Sequence, residues 1–423
     1  MSQAYLFSSK RFMPLFITQF CGAFNDNTFK NALTVMVGFQ AAEKLMLPLG
    51  QLIPLSMGLF ILPFFLFSAT AGQLADKYDK AMLIRRVKQV EILLMVFAGV
   101  GFILDSVILL FIVLFFMGVQ STVFGPLKYS ILPQQLKESE LVAGNGLIEM
   151  GTFLAILLGT IGGGLLIEIE GVGVWVVSLV VLGIAIAGWL SSRNIPEAPA
   201  SDATLKVNWN FVTETMRVMS FALKNRTVFI AIIAISWFWF VGAVYLSQLL
   251  EFSKEVLHGT PMVYILLLTF FSIGIGIGSV ACEKLTHVFS KMRLIVIGAI
   301  GLSVFSMDMK LASDGFAALQ LAATVPADYL VNVAGLHLLM AILLVGFFGG
   351  LYIVPLYAYI QQKSDQQVMA RVIAANNILN ALFMVIASVI VMLVSWSIPV
   401  LFFAVGVMNL VVLALMLTLE AYA

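Results

Sequence analysis

Charged residues are scarce in this sequence. Only 11% of its 423 residues are Asp, Glu, Lys or Arg, whereas an ordinary soluble domain contains about 25%. The formal net charge of +1 gives no basis for a nucleic-acid partner, which requires a clustered basic surface. The hydrophobic fraction is 61% and the mean hydropathy is +1.05. Together these values predict an all-α membrane protein that crosses the bilayer many times.

Cysteine and histidine are also rare. The two cysteines, Cys21 and Cys282, lie in or at the end of apolar segments and are too few for a disulfide framework, so we expect buried thiols. The three histidines, His258, His287 and His337, show no metal-ligand spacing. We therefore expect no metal, no cofactor and no catalytic site. The first apolar run is long and contains many polar residues, which argues against a cleavable signal peptide.

Long apolar runs predict twelve transmembrane helices, since about 20 apolar residues cross the hydrocarbon core. Of the 23 Lys and Arg residues, 19 fall at the N-terminus or in and beside the connections that follow even-numbered spans. The positive-inside rule then predicts that both termini are cytoplasmic. The predicted spans are 12–40, 51–74, 83–104, 107–127, 146–168, 173–191, 227–250, 262–281, 292–308, 334–357, 372–395 and 397–419.

The longest connection, 192–226, divides the chain into two predicted six-helix bundles, 1–191 and 227–423. Internal repetition supports this division, because "GPLKYSIL" followed by "VAGNGLIE" matches "VPLYAYI" followed by "IAANNILN" in the second half. Pseudo-symmetric halves of this kind enclose a substrate site near the bilayer midplane and alternate its access to the two sides. We expect the protein to act as a monomer.

The cytoplasmic connection contains a predicted amphipathic helix. Its apolar residues recur at three- and four-residue spacing, whereas Glu214, Arg217 and Lys224 lie off that stripe. This pattern predicts a helix that lies on the inner membrane surface and tethers the two halves, with a regulatory or partner-binding role as the alternative. The stripe consists of Trp209, Val212, Met216, Met219 and Leu223.

Polar residues interrupt the predicted spans, most densely in "FCGAFNDNTFKNAL" of span 1. An ionisable group at the bilayer centre costs about 2.5–3.5 kcal/mol on insertion scales, so it normally faces a cavity or a partner. We interpret these residues as the wall of a substrate cavity; the alternatives are that Asp26 and Lys30 neutralise each other or that Lys30 extends to the interface. The candidate substrate-binding residues are Gln19, Asp26, Asn27, Lys30, Gln120, Lys128, Asn145, Glu149, Asn376 and Asn380.

Three charged residues also have simpler interpretations. Lys128 lies close enough to the interface to reflect only the positive-inside rule. Glu149 could pair with Lys128, accept an ammonium group, or serve only a helix–helix hydrogen bond. We expect Glu91 in span 3 to be satisfied by Lys88 and Arg85 on its own helix, so it is a weaker candidate.

The segment "GQLADKYDKAMLIRR" between spans 2 and 3 resembles the signature of the major facilitator superfamily, G-x-x-x-D-[RK]-x-G-[RK]-[RK]. Gly72, Asp76, Lys77 and Lys80 fit it, whereas Asp79 stands where the family usually has glycine. The resemblance implies the fold of that family and a conformational gate, in which Asp76 helps to lock the two halves on the cytoplasmic side. A carboxylate can do so by meeting a helix N-terminus or a basic residue. The alternative is a solvated turn.

A narrower resemblance covers nearly the whole chain and is clearest in its first half. The segments "FITQFCGAFNDNTFKNAL", "FGPLKYSILPQQL" and "VAGNGLIEMGTFLAILLGTIGGGLL" are similar to the bacterial lysophospholipid transporter family, especially its form fused to an acyltransferase and an acyl-ACP synthetase. The resemblance implies a flippase in the inner membrane that moves lysophosphatidylethanolamine-type lipids inward for reacylation. Asp26 and Lys128 match the family's polar substrate-contacting positions. The acyltransferase and synthetase are then expected as a partner chain or a fused domain.

The head group of such a lipid carries a phosphate and an ammonium. Lys30 and Lys128 would complement the phosphate, and Asp26 and Glu149 the ammonium. One departure bears on head-group preference. Span 7, "WFWFVGAVYLSQLLEF", contains no basic residue, so its head-group contacts would differ from those of any family member with a cation there. Aromatic residues of spans 2 and 7 are candidates for the wall that holds the acyl chain, namely Phe60, Phe64, Phe65, Phe67, Trp237, Phe238, Trp239 and Phe240.

Two other classes of function compete with a lysophospholipid flippase. A proton-coupled transporter of a small solute or drug would use Asp26 and Glu149 as proton carriers. A membrane enzyme of lipid metabolism is disfavoured, because none of the three histidines begins the His-x4-Asp pattern of glycerolipid acyltransferases. We therefore expect a transporter and not an enzyme.

Overall fold

The computed structural model describes residues 3–36 and 49–421. These ranges contain twelve long helices and no β-strand, which confirms the predicted all-α class. A shorter helix, Phe211–Lys224, precedes the seventh long helix and is called the linker helix. The long helices are α1 (Met13–Met36), α2 (Leu49–Lys77), α3 (Lys80–Ile103), α4 (Val107–Ser130), α5 (Leu141–Ile167), α6 (Gly173–Ser192), α7 (Arg226–Glu251), α8 (Pro261–Leu285), α9 (Lys291–Ala317), α10 (Val333–Lys363), α11 (Met369–Leu393) and α12 (Ile398–Ala421).

Each predicted span coincides with one long helix, although residues 37–40 of the first span lie outside the described residues. The largest error is at the end of span 9, predicted at residue 308 and found at Ala317. There the helix continues beyond its apolar run, and Lys310 forms an ion pair with Asp314, one turn later, at 2.5 Å. In the part of the chain that is described, ten helices are long and apolar enough to cross a membrane. The two long helices outside that set, α1 and α3, carry the polar residues described below.

Side-chain caps fix where several helices begin. Asp79 accepts a hydrogen bond from the backbone N–H of Met82 at 2.6 Å and starts α3. Asn225 accepts one from Val228 at 3.2 Å and separates the linker helix from α7. Each cap supplies a partner for an N–H group that has none inside its own helix.

The chain forms two compact units. Unit 1 consists of Met1–Gly144, Ala155–Lys224 and Ser364–Ile378, and unit 2 of Asn145–Leu154, Asn225–Lys363 and Leu379–Ala423. Helices α5 and α11 each contribute residues to both units. The predicted division into bundles 1–191 and 227–423 remains a prediction.

The core of unit 1 is an apolar cluster between α1, α3, α4 and α6. Phe29 of α1 packs edge-on against Phe102 of α3, with ring centroids 5.6 Å apart, and both are fully buried. Valine and alanine side chains of α6, such as Val181, close the other side. This packing fixes the rotation of α1 and α3 and therefore the direction in which their polar residues point.

In unit 2, α8 and α10 approach each other closely through glycine. An added Cβ at Gly278 would overlap the carbonyl oxygen of Phe347, and one at Gly346 would overlap that of Phe271. Only glycine permits this backbone distance, as is common where membrane helices associate. The contact positions the end of α10, whose polar residues face α5.

Candidate substrate site and gate

Asp26 of α1 faces polar groups of α4 in unit 1. Its carboxylate accepts a hydrogen bond from the Ser121 hydroxyl at 2.7 Å, and that hydroxyl also lies 3.2 Å from the Gln120 amide oxygen. One turn along α1, the Lys30 ammonium lies 4.4 Å from the centre of the Phe60 ring. Asp26 and Lys30 are both half-buried. This part of α1 therefore presents a negative and a positive group within one helical turn, beside polar side chains of α4.

Glu91 is the centre of a buried polar cluster next to Asp26. Its carboxylate accepts hydrogen bonds from Lys88 at 2.6 Å, Gln120 at 2.9 Å and Asn25 at 3.1 Å. The side chains of Lys88 and Glu91 are 0% and 2% exposed. The expected pairing with Lys88 is confirmed. Gln120 donates to Glu91 and directly precedes Ser121 in α4, so this cluster adjoins the Ser121–Asp26 contact.

The expectation that Arg85 also satisfies Glu91 is wrong. Arg85 donates instead to the backbone carbonyls of Ser192, at 3.4 Å, and Ile195, at 2.9 Å. The physical reason is that the orphan carbonyls at the C-terminal end of α6 attract the guanidinium. Asn25 and Gln120, from two other helices, take its place at Glu91.

The other candidates in unit 1 differ in their surroundings. Gln19 is buried, and Asn27 donates to the carbonyl of Ala23 in its own helix at 2.7 Å. Lys128, in the last turn of α4, is half-buried, with its ammonium 4.6 Å from the centre of the Tyr129 ring. Each of these residues lies on α1 or α4, the two helices that also carry Asp26 and Gln120.

Asn376 of α11 is completely buried. Within residues 3–36 and 49–421, neither its amide nitrogen nor its amide oxygen has a hydrogen-bond partner. A buried amide without partners costs about 1–3 kcal/mol, so such a group is a marker for a bound molecule or a second conformation.

In unit 2 the candidate residues join α5 to α10 and α7 to α11. The side-chain amides of Asn145 and Gln361 exchange hydrogen bonds at 2.6 Å and 3.3 Å, and both residues are buried. Asn380 accepts from the Ser236 hydroxyl at 2.9 Å. Glu149 lies one turn beyond Asn145 and is fully buried. These polar contacts replace hydration for groups that lie in an apolar surrounding.

The aromatic residues of α7 mostly face the inside of unit 2. Trp237 and Phe240 are buried and stacked at 4.7 Å, and the Trp237 indole donates to Asn409 at 2.7 Å. Trp239 is half-exposed and stacks on Phe153 of α5, with ring centroids 6.4 Å apart. Phe238 also packs on Phe153, at 6.3 Å, and Phe153 follows Glu149 by one turn, so both rings lie close to the α5 segment that carries this candidate.

At the end of α2, Asp76 binds the N-terminus of α11. Its carboxylate accepts from the backbone N–H of Ala370 at 3.0 Å, and from both the backbone N–H and the Nε of Arg371 at 3.3 Å and 2.9 Å. Asp76 is fully buried and the Arg371 side chain is 6% exposed. One carboxylate thus neutralises a guanidinium and caps a helix N-terminus, two interactions that reinforce each other.

The connection between α6 and the linker helix lies over this contact. Gln73, one turn before Asp76, exchanges hydrogen bonds with the backbone of Asn208 at 2.8 Å and 3.0 Å. Asp202 lies 3.6 Å from the Arg371 guanidinium, which also stacks over the Phe221 ring at 5.2 Å. The connection therefore participates in holding the Asp76–Arg371 pair.

The remaining residues of the predicted gate either contact the connection between α6 and the linker helix or are partly exposed. Lys80 is buried and donates to the Ser201 hydroxyl at 2.8 Å. Asp79, the departure from the family signature, accepts from the backbone N–H of Ala198 at 2.8 Å in addition to capping α3. Lys77 is half-buried, 5.6 Å from the ring of Tyr78. The aspartate at 79 thus has a structural use that glycine could not provide.

The family model of the Major Facilitator Superfamily matches residues 15–388. The chain belongs to the major facilitator superfamily. The fold agrees, since the crystal structure of the human organic anion transporter MFSD10 (TETRAN) superimposes with a TM-score of 0.73, at 12% identity, over 96% of this chain and 99% of that one. The all-α membrane fold predicted from the sequence is therefore confirmed at the level of the superfamily.

Curated relatives narrow the resemblance within the superfamily. The lysophospholipid transporter LplT of Cronobacter sakazakii is 28% identical over 388 residues, covering 88% of this chain and 85% of that protein. LplT of Escherichia coli O9:H4 is 26% identical over 421 residues, covering 96% and 94%. The predicted resemblance to lysophospholipid transporters is confirmed, and the chain is a multi-pass membrane protein of a transporter family.

Sequence reasoning missed several partners of the predicted residues. Asp76 contacts Arg371, Asn145 contacts Gln361, and Asp26 contacts Ser121. Each of these partners is distant in the chain from the residue that it contacts. One signal could have pointed to Arg371. It stands directly before predicted span 11, where a basic residue precedes a long and mainly apolar run. Ser121 carried no such signal.

Proposed function

We propose that this chain is a lysophospholipid flippase of the bacterial inner membrane, which moves lysophosphatidylethanolamine-type lipids to the cytoplasmic leaflet by alternating access. The observation that carries the proposal is the pair of adjoining contacts Ser121–Asp26 and Gln120–Glu91, which form a polar array inside an apolar helical unit. The similarity over most of the chain to proteins named lysophospholipid transporters supports a lysophospholipid as the proposed substrate.

The head group has two charges, and unit 1 has a residue for each. Asp26 would accept hydrogen bonds from the ammonium, and Lys30 and Lys128 would donate to the phosphate. Asp26 keeps acceptor capacity for a ligand, since an ionised carboxylate has about four lone-pair sites and Ser121 occupies one. Glu149, Asn145, Asn376 and Asn380 are the further candidates for polar contacts, and Gln19, Asn27 and Gln120 line the array in α1 and α4.

Alternating access requires a gate that can open. On this proposal the Asp76–Arg371 contact, with Gly72, Lys77 and Lys80 around it, closes one side of the transport path and releases when the lipid passes. The two six-helix bundles, 1–191 and 227–423, would move relative to each other, with 192–226 as their tether, and both termini would be cytoplasmic. An acyltransferase and acyl-ACP synthetase, as partner chain or fused domain, would reacylate the transported lipid.

The test is uptake of labelled lysophosphatidylethanolamine into spheroplasts that lack their own transporter. Wild type, Asp26→Asn and Lys128→Ala are compared at matched membrane expression, with Lys310→Ala as the control that removes a lysine of unit 2 outside the candidate residues. We expect uptake by wild type and the control, and at least a tenfold loss in the two site variants. Uptake that survives an uncoupler would identify facilitated flipping.

Other outcomes would replace the proposal. No uptake above the empty-vector level by well-expressed wild type would exclude this lipid and favour a proton-coupled transporter of a small solute. Normal uptake in both site variants would keep the function and remove the assignment of Asp26 and Lys128.

A further inference from the structure

Unit 2 contains an apolar crevice between the first turns of α7 and α9 and the last turns of α10 and α12. It is an open groove and not an enclosed cavity, since the space of about 440 Å³ between its walls includes volume open to the surroundings. Its lining is nearly all aliphatic, with Ile230, Ile295 and Leu413 from three of the helices and Tyr359 from the fourth. A hydrocarbon chain fits this surface, whereas a polar solute would lose hydration without gaining partners.

Four basic residues lie at the same ends of α7, α9 and α10, each within about one turn of a residue that lines the crevice, and they are called the basic rim: Arg226, Lys291, Arg293 and Lys363. Arg226 is the first residue of α7 and lies one turn before Ile230, on the same helix face. Lys291 is likewise the first residue of α9 and lies one turn before Ile295. Side chains on a helix lean toward its N-terminus, so both cations extend from the crevice toward its outer end.

Hydrogen bonds hold the rim together. The Asn225 side chain donates to the carbonyl of Lys363 at 3.3 Å, and the Lys291 ammonium donates to Gln362 at 2.5 Å. These contacts tie the starts of α7 and α9 to the end of α10. The four rim residues together carry four positive charges.

We propose that this crevice and its rim bind one anionic phospholipid of the cytoplasmic leaflet, with an acyl chain in the crevice and the phosphate at the basic rim. An apolar crevice alone would take any acyl chain, and surface cations alone would attract any anionic lipid. Their juxtaposition selects a molecule that is both a hydrocarbon and an anion, and basic pockets between membrane helices bind anionic head groups in this way. The density of Lys and Arg assigns this end to the cytoplasmic side.

The site is separate from the transport proposal. It contains none of the candidate substrate residues, so it holds a resident lipid whatever the transported molecule is. A lipid bound there bridges α7, α9, α10 and α12, and its expected consequence is a higher unfolding temperature in anionic membranes.

The experiment uses the full chain in phosphatidylcholine nanodiscs. The probe is phosphatidylglycerol with a diazirine in the acyl chain, compared with phosphatidylcholine carrying the same chain, and photo-adducts are mapped by mass spectrometry. We expect adducts on peptides containing Met292 and Tyr359, enriched for phosphatidylglycerol. Arg226→Gln/Arg293→Gln should reduce that enrichment about thirtyfold, given the attraction of each cation to anionic lipid. The control pair, Arg86→Gln/Lys137→Gln, removes the same charge outside unit 2 and should keep it.

A second variant tests the acyl chain separately. Val296→Phe fills the crevice and should reduce adducts of both probes at Met292 and Tyr359, while leaving the rim intact. Equal labelling by the two probes in wild type would show ordinary annular lipid and overturn the proposal. Equal loss in the control pair would do the same. If the double variant does not give a monodisperse protein, Arg293→Gln alone, at an exposed position, is measured in its place.

Discussion

The Arg371 guanidinium donates from Nε to the Asp76 carboxylate at 2.9 Å, and the backbone N–H of the same arginine donates to it at 3.3 Å. The pair is buried, and the desolvation of two charges is offset only when such contacts are complete. Partial opening is therefore unfavourable, so on the proposed gating role the contact should be either fully made or fully broken. That property is what a conformational gate requires.

Asp76→Asn should weaken this contact strongly. The amide has no charge, and its NH₂ group would face the donors of Arg371, so the buried guanidinium loses its partner at a cost of about 3–5 kcal/mol. We expect at least a tenfold loss of transport and greater labelling of a cysteine placed at Ala374 by a water-soluble maleimide. Asp202→Asn, which changes a partly exposed carboxylate 3.6 Å from the same guanidinium, is the control and should have a much smaller effect. Similar labelling in the two variants would contradict the gate.

Glu91→Gln should destabilise unit 1. The substitution keeps the size of the side chain but leaves the Lys88 ammonium, which is fully buried, without its counter-charge, at about 3–5 kcal/mol. We expect a clear fall in unfolding temperature in detergent, with Arg86→Gln on the exposed face of α3 as the control. The double variant Lys88→Met/Glu91→Leu removes both charges and should recover part of the stability, since it still leaves the Asn25 and Gln120 amides without their acceptor. If transport returns with it, the ion pair is structural only and has no part in positioning Gln120 and Asp26.

Local sequence signals predicted the helices well, because a run of about twenty apolar residues can satisfy its backbone hydrogen bonds inside a membrane only as a helix or in a closed barrel. They failed where partners come from distant parts of the chain. The periodicity of α3 suggested that Arg85 would help Glu91, but the carbonyls at the end of α6 are a stronger attraction for it. The signature motif predicted a gate role for Asp76, yet only the structure pairs it with Arg371, 295 positions away.

The linker helix shows the same limit. Its periodicity separates an apolar stripe from a polar face, and Trp209 and Met216 of the stripe are indeed exposed, at 73% and 69%. The pattern does not predict that Glu214, which lies on the polar face, is buried, with only 1% of its surface exposed. Burial of a carboxyl depends on what the helix packs against, which the sequence of the helix does not contain.

The stability of the linker helix should decrease as the pH rises. Burial raises the pKa of the Glu214 carboxyl above its ordinary value of 4.5, although Arg217 opposes the shift. The pKa of Glu214 is higher in the folded state than in the unfolded state. Its contribution to the free energy of unfolding is therefore complete at pH values below the unfolded-state pKa, and it is lost as the pH rises through the folded-state pKa. Glu214→Gln should therefore raise the unfolding temperature most at pH 7 and above, and least near pH 4.5. Glu197→Gln, at an exposed position, is the control; a uniform shift in Glu214→Gln at all pH values would contradict this account.

Gly72→Ala should prevent the gate from closing. An added Cβ would lie 2.8 Å from the Ala374 side chain, 3.0 Å from the carbonyl oxygen of Ala370 and 3.0 Å from the Cα of Arg371. Two of these neighbours are backbone atoms of α11, which cannot move aside without displacing the N–H groups that Asp76 binds.

The matched control for this substitution is Gly183→Ala on α6, where an added Cβ meets no atom within 4 Å. There alanine should be neutral or stabilise the helix slightly, by up to about 1 kcal/mol. We expect Gly72→Ala to reach the membrane but to lose at least tenfold in transport, with maleimide labelling near Ala374 raised as in Asp76→Asn. Since the two variants disturb one contact by different means, one steric and one electrostatic, combining them should add little to either alone. A double variant whose losses multiply would show that Gly72 and Asp76 act on different steps.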